Sequence, residues 1–364
     1  MNHRGRILRL PPNRVWRTYP GGRTLDALAG AVAPADTAWS EDWIASTTRA
    51  MNRGRETIEE GVSQVFIGDE STPTDLAQLI ASDPVYFLGA HHVKKYGASP
   101  QLLVKFLDSG TRLHFQVHPT QEFARRLLGA PSGKTEAYYV LGTRPVPGEP
   151  SGYIYVGFQR PPTTAQLRDY ILTQNIAAIE ACFDKIAVQP GDAFIIPGGT
   201  PHALGAGVFM VEIQEPSDLV VRFEFARAGY VLPEAARFMN RGIDLALSVF
   251  NFAPLTPARL ASHIRCCPRH RRALGPGNSQ EELIGPSQTH CFRVDRTSLT
   301  TPVVKDETSA IVAIVTRGGV IVEAGGESHR LKTYDKIFIP AELGPVQFTP
   351  AGGHAEFLEC LPPA

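Results

Sequence analysis

Short apolar runs broken by turn residues set the pattern of this chain. They fall at residues 65–67, 86–88, 102–107, 113–117, 137–141, 152–158, 193–196, 208–213 and 219–225. Runs this short and this regularly punctuated predict the strands of an all-β sandwich or barrel. Three stretches instead carry helical spacing. Residues 164–183 open on a Thr cap and repeat apolar side chains at Leu167, Ile171, Ile176, Ile179 and Phe183. Residues 232–252 have Pro233 in the first turn, where its missing N–H costs nothing. Residues 121–128 form a shorter third segment.

From residue 265 to 285 the composition turns polar and basic, RCCPRHRRALGPGNSQEELIG, and reads as a loop or linker. Beyond it residues 292–361 are β-like again, with runs at 310–316, 319–323 and 336–339. The expected organisation is therefore three parts. Residues 1–226 hold N-terminal strands and a first β unit, 227–288 a helical segment and linker, and 289–364 a second β unit.

Composition narrows the function classes. The 364 residues are 43% hydrophobic and 20% charged, with 36 basic and 36 acidic side chains. A chain without a basic excess is no candidate for wholesale binding to nucleic acid or to an anionic membrane. A small anionic substrate stays open, because a local cluster of cations does not register in a global sum. The five cysteines, Cys182, Cys266, Cys267, Cys291 and Cys360, are scattered and form no CxxC pair. A reducing cytoplasm is the expected compartment. The N-terminal MNHRGRILRLPPNRVW is basic but has no apolar core, so no signal peptide is expected. No run approaches the roughly 18 apolar residues of a membrane helix.

Three local motifs carry chemistry. In LHFQVHP (113–119), residues two apart share one face of a strand, so His114, Gln116 and His118 project together. GKTEAYYVL (133–141) sets the carboxylate of Glu136 at a strand start. In PGDAFIIPGGTPHALG (190–205) an apolar strand runs into a Pro-Gly-Gly turn that delivers His202. Alone, each motif is weak: a polar stripe, a solvated glutamate, a core histidine. Together they supply a mixed N/O donor set suited to zinc or another borderline divalent ion, with room for a water or substrate oxygen.

In order, QVHP, GKTEAYYVL, GDAFIIPGGTPHALGAG and VEIQEPSDLVVRFEF resemble the marks of the type I mannose-6-phosphate isomerases of the cupin superfamily. The spacing Gly191-x5-Pro197-x-Gly199-x2-His202 is similar to the second cupin motif. Softer similarity takes in Trp16, the SEDW at 40–43 and the LVKFLD at 103–108. The resemblance implies two cupin-like jelly-roll β-barrels with an intervening helical segment, the second without metal. It implies one divalent metal ion, zinc, on Gln116, His118, Glu136 and His202. It further implies catalytic roles for Lys134, Glu212 and Arg222, and substrate binding by Lys105 and Lys134.

His114 departs from the family, which usually has a serine there that helps to hold the substrate phosphate. The histidine remains a substrate-binding candidate, an extra metal ligand, or the mark of another substrate.

The implied reaction is mannose 6-phosphate to fructose 6-phosphate and back, through a cis-enediolate. A metal would stabilise that charge and an acid/base residue, Glu212 or Lys134, would move the proton. Rival readings are an isomerase of another phosphosugar or a free sugar, an iron-dependent cupin oxygenase, and a non-catalytic sugar-binding cupin. The expected partner is a small-molecule sugar phosphate, with neither nucleic acid nor membrane, and the chain a monomer or small homo-oligomer. The group His263, Cys266, Cys267 and His270 is read as loop rather than metal site, because adjacent cysteines rarely share a tetrahedral ion. The basic run 265–272 is read as a solvated patch.

Overall fold

The computed structural model describes residues 3–52, 54–67 and 72–364. The chain is mainly β. A seven-stranded antiparallel sheet runs in the order Arg265–Cys266, Ala193–Ile196, Glu136–Thr143, Val208–Gln214, Leu103–Asp108, Glu41–Ile44, Arg14–Val15. A five-stranded sheet holds Ile186–Ala187, Tyr153–Val156, His202–Leu204, Gln116–Val117 and Val221–Arg222, in that order. Their inner faces pack together: Leu107, Tyr138, Val140, Phe194 and Met210 of the first meet Ile154, Val156 and Leu204 of the second. Alternation along each strand puts the next residue on the other side. The outer face of the five-stranded sheet therefore packs Phe115, Tyr155 and Phe223 against the helices Thr164–Thr173, Ile176–Glu180 and Ile243–Leu247.

A nine-stranded sheet built around Ile311–Ala324 and Val346–Leu361 makes up the C-terminal part. It has its own core. Its other face, with Val294, Val312, Ile314 and Leu358, packs on the outer face of the seven-stranded sheet. Leu8–Arg9 also joins this sheet by pairing with Lys336–Ile339, so the two ends of the chain share one structural unit.

Several expected elements differ. Residues 265–285 are strands, not a loop: Arg265–Cys266 pairs with Ala193–Ile196, and Arg269–Ala273 forms a hairpin with Ser279–Ile284. The misreading comes from the edge strand, whose side chains are all exposed and charged or small, as suits an edge that must resist further pairing. Tyr86–Leu88, expected as strand, lies in the helix Pro84–Leu88, where Pro84 starts the first turn. The helix expected over 164–183 breaks at Gln174, whose φ is 52°, and restarts after Asn175 caps Ala178 N at 3.1 Å. Over 232–252 only the turn Glu234–Ala236 and the helix Ile243–Leu247 form. Met239, Asn240 and Gly242 between them all take positive φ, which a helix cannot accommodate.

One buried ion pair clamps the seven-stranded sheet to the C-terminal unit. Lys336 Nζ donates to Asp42 Oδ2, and both side chains are buried. Asp42→Ala would leave an uncompensated ammonium in that interface. We expect a loss of about 3–5 kcal/mol in unfolding free energy by denaturant titration. The double variant Asp42→Ala/Lys336→Met should recover most of it.

Candidate metal centre and adjoining pocket

Strand register brings the candidate residues together. On the inner face of the seven-stranded sheet, Glu212 stands opposite Lys105 on one neighbour and Tyr138 on the other, and Lys105 opposite Trp43. The adjacent row holds Gln214, Glu136 and Ile196. Facing them on the five-stranded sheet, Arg222, Gln116 and His202 form a third row. The turn before His202 packs directly on the backbone after His118. A Cβ on Gly198 would meet Thr120 Cα at 2.7 Å, and Gly199 N donates to the His118 carbonyl at 2.7 Å. Only glycine permits that approach.

The donors converge. One ligand atom each of His118, Glu136 and His202 lies within 4.8 Å of the others, all three residues buried. His118 Nδ1 donates to the Leu219 carbonyl at 2.7 Å and His202 Nδ1 to the Thr200 carbonyl at 2.8 Å. A carbonyl only accepts, so both rings carry the proton on Nδ1 and turn a lone pair at Nε2 inward. Glu136 Oε1 sits 3.0 Å from His118 Nε2, and Oε2 sits 3.4 Å from His202 Nε2. Although crowded by these neighbours, Oε1 is buried without a properly angled hydrogen bond. The Lys134 ammonium reaches the same point, 2.5 Å from Glu136 Oε1 and 3.1 Å from His118 Nε2. Lone pairs aimed at one buried spot, already met by one cation, fit a divalent ion. Gln116 adds its amide, 3.2 Å from His202 Nε2.

The electrostatics agree with this geometry. Burial would raise the Glu136 carboxyl, yet the Lys134 charge outweighs it and holds it well below the usual range. Burial, then the Lys134 charge, pushes His118 down to about 3, which keeps the ring a neutral ligand. Burial raises Glu212 to about 7, with the Glu136 charge adding and Lys105 opposing. Burial, then the neighbouring Arg17 charge, lowers Arg222 to about 10.

Beside the donors lies a pocket of about 470 Å³ including its open mouth, lined by Arg17, Lys105, His114, Lys134, Glu212 and Arg222 among others. Lys105 pairs with Glu212 at 3.1 Å and lies 4.9 Å over the Trp43 ring. His114 lines the pocket wall and stands outside the three-residue donor group. Arg222 has no hydrogen-bonded or ion-paired side-chain partner among the described residues.

Two residues at the site were not among the candidates read from the sequence. Arg17, buried, binds Asp218 through both terminal nitrogens at 3.1 Å and Glu41 at 3.2 Å. The contact spans some two hundred positions of chain; Asp218 lies within the run VEIQEPSDLVVRFEF, but nothing local there points to Arg17. Tyr138, in the apolar run that follows Glu136, donates to Glu136 Oε2 at 2.7 Å. His263, Cys266, Cys267 and His270 do not form a metal-ligand group among the described residues; Cys266 is buried, its thiol pushed up to about 12 by burial.

No family model matches the chain. A protein of Streptococcus mutans named mannose-6-phosphate isomerase is 32% identical over 183 residues, 49% of this chain and 54% of that protein. The chain thus spans about half the length of that relative. In fold, a putative mannosephosphate isomerase of Archaeoglobus fulgidus aligns with TM-score 0.72 and 17% identity over 100% of both chains. A mannose 6-phosphate isomerase solved with zinc and yttrium bound aligns with TM-score 0.67 and 16% identity, over 97% of this chain and 99% of that one. The chain resembles mannose-6-phosphate isomerases in both sequence and fold. No helix is long and apolar enough to cross a membrane among the described residues.

Proposed function

We propose that the chain is a metal-dependent aldose–ketose isomerase interconverting mannose 6-phosphate and fructose 6-phosphate through a cis-enediolate. Zinc is the proposed ion, held by Gln116, His118, Glu136 and His202. The observation that carries this reading is the convergence of His118, Glu136 and His202 beside a buried carboxyl, Glu212, with an acidity near neutrality. The name of the sequence relative and the zinc in one structural neighbour support it.

A bound ion would supply Lewis-acid polarisation of the sugar's oxygens. The other roles belong to the chain. Glu212 takes a proton from one carbon and returns it to the next, for which a group that titrates near the working pH is suited. Arg222, ion-paired with no carboxylate among the described residues, meets an anionic oxygen of the enediolate or the phosphate. Lys105 and Lys134 hold Glu212 and Glu136 in place and reach sugar oxygens from there. Tyr138 orients Glu136 by its hydroxyl.

In this reading the facing seven- and five-stranded sheets form a cupin-type jelly-roll barrel that carries the site. The nine-stranded sheet is a second, metal-free barrel, and residues 227–264, with their short helical turns, lead from one to the other. The barrels are read as one soluble enzyme acting on a small sugar phosphate.

The test is elemental analysis of the purified protein with a coupled assay for fructose 6-phosphate formed from mannose 6-phosphate. Stoichiometric zinc with turnover, lost on chelation and restored by zinc, is the expected result. Protein loaded with metal that turns over neither mannose 6-phosphate nor free mannose sinks the isomerase reading.

A further inference from the structure

His114 brings to the pocket wall a polar atom that the chain leaves unsatisfied. The residue is 2% exposed. Its Nδ1 lies 3.0 Å from the Glu224 carbonyl oxygen, and its Nε2 is buried with no hydrogen-bond partner. The carbonyl can only accept, so Nδ1 carries the proton.

The neighbourhood locks this arrangement. The Glu224 carboxylate takes both terminal nitrogens of buried Arg112, at 2.6 and 2.8 Å, and the Phe115 N–H at 3.1 Å. The side chain of the residue that orients His114 is therefore fixed, and the ring cannot turn over without breaking its one bond. Among the described residues Nε2 has no ion-paired carboxylate and no hydrogen-bond partner. With the proton on Nδ1, Nε2 of the neutral ring carries a lone pair, and His114 lines the pocket beside Leu113 and Leu204. A buried acceptor left without a donor is costly, and a ligand that brings the donor recovers that cost.

The cations of the pocket sharpen the point. Lys105 is engaged by Glu212, Lys134 by Glu136, and Arg17 by Asp218 and Glu41. Arg222 is the cation left for an anion among these four. An ionised phosphate set against the lone pair of His114 would place acceptor on acceptor. A sugar hydroxyl set there donates.

We propose that His114 Nε2 accepts a hydrogen bond from a hydroxyl of the bound sugar, making His114 an orienting residue that reads a hydroxyl, not a phosphate, at this wall. The proposal rests on the isomerase reading above.

The test uses metal-loaded full-length protein and three substitutions. His114→Phe keeps the shape without the acceptor, His114→Gln restores an acceptor, and His114→Arg offers donors only. Turnover is measured on mannose 6-phosphate and on analogues lacking one hydroxyl at a time away from the reacting carbons. The expected result is a loss of about 10-fold in kcat/KM for His114→Phe, partly rescued by His114→Gln. One deoxy analogue should cost the wild type the same factor, and that factor should vanish in His114→Phe.

Equal losses for His114→Phe on every analogue would reduce His114 to a structural role and overturn the proposal. So would a gain in affinity for phosphosugar in His114→Arg, which would put the phosphate at this wall. So would loss of the metal from His114→Phe, which would make the ring a ligand. If the loaded wild type turns over no sugar, the isomerase reading fails. Calorimetric binding of the same sugars to wild type and His114→Phe then still decides the role of His114.

Discussion

His202→Ala is expected to lose both the bound metal and the activity. Its Nε2 is one of three buried donors within 4.8 Å, and its tautomer is fixed from behind by the Thr200 carbonyl. Alanine removes the donor and leaves Glu136 and His118 facing a gap where water competes for the ion. Charge stabilisation by such an ion is worth several kcal/mol, so the loss of turnover should reach roughly 10³-fold or more. Metal content by elemental analysis should fall in parallel, while circular dichroism stays that of the wild type, because His202 is held by its own turn. Full activity in metal-free His202→Ala protein would show that the chemistry does not pass through this site. His118→Ala serves as the second arm, since its ring is anchored on a different element, by the Leu219 carbonyl.

The second large effect is expected at Glu212. Glu212→Gln keeps the size and one hydrogen-bonding oxygen but removes the proton acceptor. A general base contributes typically about 10²–10⁴-fold, and the variant should lose that much in kcat with little change in KM. The pH profile carries the sign. As a base, Glu212 works only when deprotonated. Burial and the Glu136 charge hold its carboxyl up near 7, so the rate of the wild type should rise with pH through that region and level off above it. An ion on the neighbouring ligands offsets the Glu136 charge and moves this limb to lower pH in the loaded protein. The limb should be absent from whatever activity Glu212→Gln retains. Lys105 keeps a second carboxylate, Glu41 at 3.7 Å, so the substitution does not strand its charge. Turnover like the wild type in Glu212→Gln would pass the proton to Lys134, and Lys134→Met would then carry the loss.

The strands that carry the site were legible because their cores repeat locally. Apolar runs at 102–107, 137–141, 193–196 and 208–213 all fall on strands of the seven-stranded sheet. Where one element owed its form to distant packing, local pattern misled. Tyr86–Leu88 looks like a strand and is a helix because Pro84 starts it and three buried side chains hold it to the sheet below. The polar hairpin at 269–284 looks like a loop because one of its strands is an exposed edge. The helix breaks at Gln174 and at Met239 to Gly242 depend on left-handed residues whose cost only packing elsewhere can offset.

At the candidate metal centre, the sequence by itself determined which donor types were available and that three separate motifs bore them. Residue type and spacing two apart on a strand are local properties that set His114, Gln116 and His118 on one face; the family resemblance implied the set Gln116, His118, Glu136 and His202. Tertiary structure alone decided the rest. It brought the donors within reach of one another through strand register, and it set the tautomers through the carbonyls of Leu219 and Thr200. It paired Arg17 with Asp218 across the chain and left Arg222 without an ion-paired carboxylate among the described residues. It also turned His114 from a side chain on the metal strand into an acceptor on the pocket wall, by placing the Glu224 carbonyl behind it. Electrostatic state and hydrogen-bond direction depend on neighbours that are distant in sequence, and only the fold assembles those neighbours.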